Sequence, residues 1–77
     1  MIDWRLHIES VPEKLYGKPV IKNTRIPVDL ILEKLASGDT IKDLIKAYPK
    51  IKSIDITACL LFAAESIKNE LVFSKAS

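Results

Sequence analysis

Two consecutive runs with helical spacing, each ended by a residue that cannot continue a helix, constrain this chain most. Val28, Ile31, Leu32 and Leu35 recur at i, i+3, i+4 and i+7, which is one face of an α-helix. Pro27 stands at the entrance, where its missing N–H costs nothing. Gly38 supplies the stop. Ile41, Leu44, Ile45 and Tyr48 repeat the spacing, and Pro49 ends the run. Thr40 and Asp43 have the spacing of a capping box. A third helix is predicted from Lys52 or Ser53 to about Leu71. Its expected core stripe is Ile56, Leu60, Ala63, Ala64, Ile67 and Leu71. Three helices joined by short turns predict a mainly α bundle, with a helix-turn-helix unit around Pro49 to Lys52.

Residues 1–27 lack that rhythm. Trp4 to Glu9 alternates, with Leu6 and Ile8 on one side, and predicts a half-buried strand with His7 facing solvent. Val20-Ile21 and Arg25-Ile26 are short β-prone pieces about Asn23-Thr24, and asparagine accepts a left-handed turn. A small hairpin or hook is expected there. The chain thus reads as a single domain, 1–77. An extended or β hook region (1–27) precedes a three-helix bundle (28–71) and a frayed tail (72–77).

A chain of 77 residues has little interior, yet 48% of its residues are apolar. Leu61 and Phe62 widen the third helix's apolar surface beyond one stripe, which points to a homodimer interface there. One cysteine, Cys59, allows no internal disulfide, and one histidine with one cysteine makes a zinc site improbable. No metal or cofactor is expected. No apolar run is long enough to span a membrane, and the start lacks a signal peptide's pattern, so a cytoplasmic protein is expected.

Catalysis finds no support, and the chain is read as a non-enzyme. His7 has no visible acid–base partner, Cys59 sits in an apolar run, and two glycines cannot make a phosphate-cradling loop. The net charge of +2 is too small to imply nucleic acid by itself. The cations nevertheless cluster. Lys18, Lys22 and Arg25, with Thr24, make the hook the expected partner-binding segment. Arg25 is suited to hold a carboxylate, either a partner's or that of Asp29. Lys42, Lys46, Lys50 and Lys52 are candidates for nucleic-acid contact, chiefly to phosphates. The start of the third helix, Ser53-Ile54-Asp55-Ile56-Thr57-Ala58, has few side chains that read bases, and Asp55 would repel phosphate.

The string Gly-Lys-Pro-Val-Ile-Lys-Asn-Thr-Arg-Ile-Pro-Val over Gly17–Val28 resembles the signature of the domain of unknown function 433 family. Leu35-Ala36-Ser37-Gly38, Ala47-Tyr48-Pro49, Asp55-Ile56, Ala58 and Phe62-Ala63-Ala64-Glu65 continue the resemblance, which covers roughly Ile8 to Ile67. Asn23 stands where the family usually has glycine, Lys52 where a Thr or Ser cap is usual, and Ser53-Ile54 where an acidic pair is typical. Ser53 is therefore expected to cap the third helix. The resemblance implies a homeodomain-like fold with short N-terminal strands. It also implies an antitoxin role in a prokaryotic toxin–antitoxin pair, with a PIN-like nuclease as the partner toxin. A DNA-binding regulator and a structural adaptor are the alternatives.

Overall fold

The computed structural model describes residues 1–70. The expected end of the third helix at Leu71 and the tail lie outside the described residues. Two short strands, β1 (Ile8–Glu9) and β2 (Val20–Ile21), precede three helices, α1 (Val28–Ala36), α2 (Ile41–Ala47) and α3 (Ser53–Glu70). The chain is mainly α with a small antiparallel strand pair.

The helices begin and end for local reasons. Pro27, with extended backbone, stands just before α1 rather than in its first turn. At the other end Gly38 takes φ +106°, its N–H donates to Leu35 O, and the Asp39 N–H reaches Lys34 O. That pair of bonds satisfies carbonyls the helix leaves open. α2 starts on a full capping box: Thr40 N–H donates to Asp43 Oδ2 at 2.8 Å and Asp43 N–H to Thr40 Oγ1 at 3.0 Å. The box holds the Asp43 carboxyl below its ordinary pKa, because the Thr40 backbone N–H and then its hydroxyl stabilise the charged form.

α3 starts differently from expectation. Lys52, not Ser53, occupies the cap position: its carbonyl accepts from Asp55 N and Ile56 N. Asp55 Oδ2 reaches back to the Lys52 N–H at 2.8 Å. A lysine cannot supply the hydroxyl half of a capping box, so Asp55 supplies the other half alone.

The core gathers Ile8, Ile21, Val28, Ile31, Leu44, Ile51, Ile56, Ala58 and Cys59. Strand, hook and all three helices meet there. Burial pushes the Cys59 thiol up to about 12, with the Asp55 charge adding to it, so the residue packs as a neutral small hydrophobe.

The front of the chain departs most from the alternation pattern. Trp4–Leu6 is a 3-10 turn, capped by Asp3, and only Ile8–Glu9 is strand. Leu6, expected inside, is 66% exposed. Trp4 explains the change. Its ring meets Phe62 edge-on at a centroid distance of 4.9 Å, and its Nε1 donates to Glu65 Oε1 at 2.6 Å. Arg5 lies over the indole, 4.7 Å from the ring centroid, and reaches the same Glu65 at 3.5 Å. An aromatic ring with a satisfied N–H outweighs a two-residue extension of a strand.

The outward face of α3 also corrects the expected core stripe. Ile56 and Cys59 are buried, whereas Leu60 is 47% and Ile67 59% exposed, and Ala64 between them is exposed too. The stripe Leu60–Ala64–Ile67 therefore faces outward. Phe62, expected at a dimer interface, packs on the protein's own core and on Trp4. Leu61 is half-buried beside the N-terminal residues.

Candidate functional site

The hook closes on itself and is pinned from both sides. Ile21 N–H donates to Ile26 O at 3.0 Å, Val20 bridges Pro27, and Val28 N–H donates to Pro19 O. The regular strand partner of Val20–Ile21 is nevertheless Ile8–Glu9, not Arg25-Ile26 as a simple hairpin predicts. The reason is burial: Ile8 and Ile21 face each other in the register and share the core. Asn23 takes φ +65°, the left-handed geometry expected of it.

The Thr24 hydroxyl is engaged within the hook. It donates to Ile21 O at 2.7 Å and accepts from Ile26 N–H at 3.0 Å, so it builds the turn. A threonine hydroxyl that bridges two main-chain groups fixes the loop in one shape.

The hook's cations are sorted by their apolar neighbours. Ile21 is buried, so Lys22 next to it turns out to solvent; Ile26 is half-buried and Arg25 is exposed. The same logic operates at the α2–α3 turn. Ile51 is buried at 1% exposure, and Lys50 and Lys52 on either side of it are exposed. Ile51 carries no helical or strand periodicity, so its role as an anchor is invisible to pattern analysis. The signal was its place between two lysines in an otherwise polar turn.

Folding brings these two groups to one end of the molecule. A cleft of about 400 Å³ is lined by Leu6, His7, Lys22, Lys50, Lys52 and Ile54, with Asp55 and the hook tip Asn23-Thr24. A neighbouring cleft of about 620 Å³ lies against the same tip and is lined by Lys14, Arg25, Ile26 and Lys50. Lys50 borders both. Among the described residues no carboxylate lies within ion-pair distance of Lys22, Arg25, Lys50 or Lys52.

Other charges nearby are already committed. Lys14 holds Glu9 at 2.7 Å, and this bond first, with the Lys14, Asn23 and Lys22 contributions, keeps Glu9 below its ordinary pKa. Asp55 Oδ1 lies 3.2 Å from His7 Nδ1 while Oδ2 holds the α3 cap. His7 is thus not the solvent-facing strand residue of the alternation pattern. It joins the N-terminal segment to α3, and its carbonyl accepts from Lys22 N–H at 2.8 Å. Asp55, which looked like an obstacle to anion binding, serves as a bracket for the cleft wall.

The predicted site residues therefore regroup. Lys22 and Arg25 of the hook join Lys50 and Lys52 of the turn. Lys18 does not: it pairs with Asp29 at 2.9 Å, and both line a separate, mostly apolar groove. Asp29, the local one of the two partners considered for Arg25, is taken by Lys18 and forms no ion pair with Arg25. Lys42 and Lys46 are exposed on α2 and line neither cleft. Among the described residues no group of three or more His, Cys, Asp or Glu is placed to hold a metal.

The family model for a protein of unknown function, DUF433, matches residues 8–63, most of the chain and all of the Gly17–Val28 segment. The chain belongs to the DUF433 family. This DUF433 chain resembles the crystal structure of a DUF433 member protein from Anabaena variabilis ATCC 29413, with a TM-score of 0.74 and 28% identity. The match covers 79% of this chain and 60% of that one. It is also similar to the uncharacterised protein y4eO of Sinorhizobium fredii strain NGR234, 29% identical over 56 residues. That match takes in 73% of this DUF433 chain but only 25% of the relative, so the chain spans about a quarter of that protein's length.

Proposed function

We propose that this protein is an antitoxin-like binding module that neutralises a PIN-like nuclease by protein–protein contact. One observation carries the reading: Lys22, Arg25, Lys50 and Lys52 converge on two open clefts, and among the described residues none of them lies within ion-pair distance of a carboxylate. Unpaired cations at a concave site favour an anionic partner. A nuclease that holds divalent metal with carboxylates presents such a surface, and Arg25 is long enough to engage a carboxylate in two-pronged fashion. The family resemblance implies a PIN-like nuclease as the specific partner, and metal-binding carboxylates on such a partner would complement this surface.

A homodimer belongs to the same proposal. The exposed Leu60–Ala64–Ile67 stripe is apolar, and Leu61 lies at its side. No helix among the described residues is long and apolar enough to cross a membrane. We place the protein's work in the cytoplasm, beside its nuclease.

DNA binding is the second reading, favoured by the same unpaired cations at the start of α3. Against it, Thr57 bonds back to Ser53 O, Ile54 is 38% exposed, and Asp55 is held by His7 and the Lys52 N–H. The start of α3 therefore has little with which to read base edges.

Co-expression with the adjacent gene product decides the main reading. The two proteins should co-purify, and this chain should restore growth in cells that the neighbour arrests. A neighbour that is harmless alone and does not co-purify sinks the proposal. Gel shifts on the promoter across a salt series test the second reading, since purely phosphate-driven binding fades uniformly with salt.

A further inference from the structure

The two clefts have a property that a generic basic patch lacks. Each pairs cations with an apolar wall. Leu6 and Ile54 stand beside Lys22, Lys50 and Lys52 in the first, where the Asp55 carboxylate is held by His7 and the Lys52 N–H and the three lysines outnumber it. Ile26 stands beside Arg25 and Lys50 in the second. The hook tip Asn23-Thr24 borders both, and Lys50 serves both. The ridge is rigid, because Thr24 locks the turn by two hydrogen bonds and Lys22 N–H is tied to His7.

We infer that this end of the molecule is a two-pronged receptor for an extended acidic peptide segment, one carboxylate entering each cleft across the Asn23-Thr24 tip. The shared cation, Lys50, lies between the two carboxylates. The inference rests on the reading of the protein as a module for an anionic protein partner, and it names the recognition element that partner must carry. Two acidic side chains with an apolar side chain near them complement the cations and the Leu6, Ile54 and Ile26 walls. A phosphodiester backbone uses the cations but leaves those walls uncovered, and apolar surface left in water contributes nothing to affinity. The peptide is therefore favoured over a nucleic-acid strand of equal charge.

The placement also assigns Lys50 a different role from Lys42 and Lys46. All three are exposed lysines of the second cluster, but only Lys50 borders the clefts. A charge reversal at Lys50 acts on both carboxylates, whereas one at Lys42 acts on neither.

A two-dimensional amide NMR titration of the intact chain tests this directly. The probe is a capped pentapeptide, aspartate-glycine-valine-glycine-aspartate, whose three side chains share one face when the chain is extended; the comparison is a thymidine trinucleotide, with two phosphates. Saturable shifts confined to the hook tip (22–26), the α2–α3 turn with the start of α3 (50–55) and Leu6-His7 are expected with the peptide. Lys50→Glu should weaken binding by about tenfold or more, while Lys42→Glu leaves it unchanged. Arg25→Glu should remove the shifts at the Arg25 side first. The melting temperature of each variant checks folding, and these exposed positions leave it near that of the parent. Shifts spread over α2, no saturation, equal loss in both lysine variants, or tighter binding of the trinucleotide overturns the inference.

The co-purification experiment separates this from the broader proposal. A complex with the neighbouring gene product that survives Lys50→Glu removes the cleft assignment and leaves the module standing. Peptide binding without any such complex does the reverse.

Discussion

Thr40 and Asp43 make a two-way contact whose consequences are measurable. Thr40→Ala removes one hydroxyl from the start of α2 and should lower stability by about 1 kcal/mol in urea denaturation. The pH dependence follows from the sign of the shift. Asp43 and Glu9 both titrate below their ordinary values in the folded chain. Their contribution is present above the unfolded-state values and is lost as pH falls through the lowered folded values. Thr40→Ala should therefore make the acid limb of the stability profile shallower. At Tyr16 the backbone itself is under load. Leu15, Tyr16 and Gly17 are successive left-handed residues, with φ of 49°, 57° and 84°, and the Tyr16 side chain is fully exposed. A left-handed non-glycine residue costs about 1–2 kcal/mol, less for asparagine. Tyr16→Asn should therefore raise the unfolding free energy by about 0.5–1 kcal/mol, and an unchanged or lowered value counts against strain at this site.

The N-terminal turn and α3 behave as one unit because Trp4, Arg5, Phe62 and Glu65 interlock. Trp4→Phe keeps the ring contact and loses the bond to Glu65, which should cost about 1 kcal/mol. Trp4→Ala loses both and should cost about 3 kcal/mol. Equal costs for the two variants would show that the ring packing is inert. Phe62→Asp is expected to unfold the chain, since Phe62 packs on Trp4 and the core. The clean probes of self-association are Leu60→Asp and Ile67→Asp on the outer stripe. Either should shift the mass in solution towards monomer with little loss of melting temperature; an unchanged mass places the dimer elsewhere or removes it. The start of α3 has its own test. Asp55→Ala frees His7 and the Lys52 N–H together, and should cost about 1–3 kcal/mol.

At the scale of the whole molecule, the two lysine clusters become one site because the hook and the α2–α3 turn share a core. Ile21, Ile51 and Ile56 belong to one apolar cluster, and the cations beside them are turned out at the same end. Arg25→Ala should weaken partner capture while leaving thermal stability close to that of the parent, because no ion pair within the described residues depends on it. An equal fall in melting temperature would make Arg25 structural.

Much of this fold is legible in the sequence itself. The run from Val28 to Leu35, the Gly38 stop, the Thr40–Asp43 box, the break at Pro49 and the left-handed Asn23 are local events. Each depends on residues within a turn or two, so spacing and residue type determine them. The Gly17–Val28 motif was equally legible as a family signature. What only the tertiary structure decided involves partners far apart in the chain. Trp4 chose a 3-10 turn because Phe62 and Glu65, about sixty positions later, receive its ring and its N–H. α3 is apolar around so much of its girth that periodicity could not choose its inner face; contact with the strands and α1 put Cys59 inside and Leu60 outside. Lys18 and Lys22 are alike in sequence, yet Asp29 takes one and leaves the other at the cleft. A lysine carries no local signal of which carboxylate folding will bring to it, so only the packed chain could gather Lys22, Arg25, Lys50 and Lys52 around one pair of clefts.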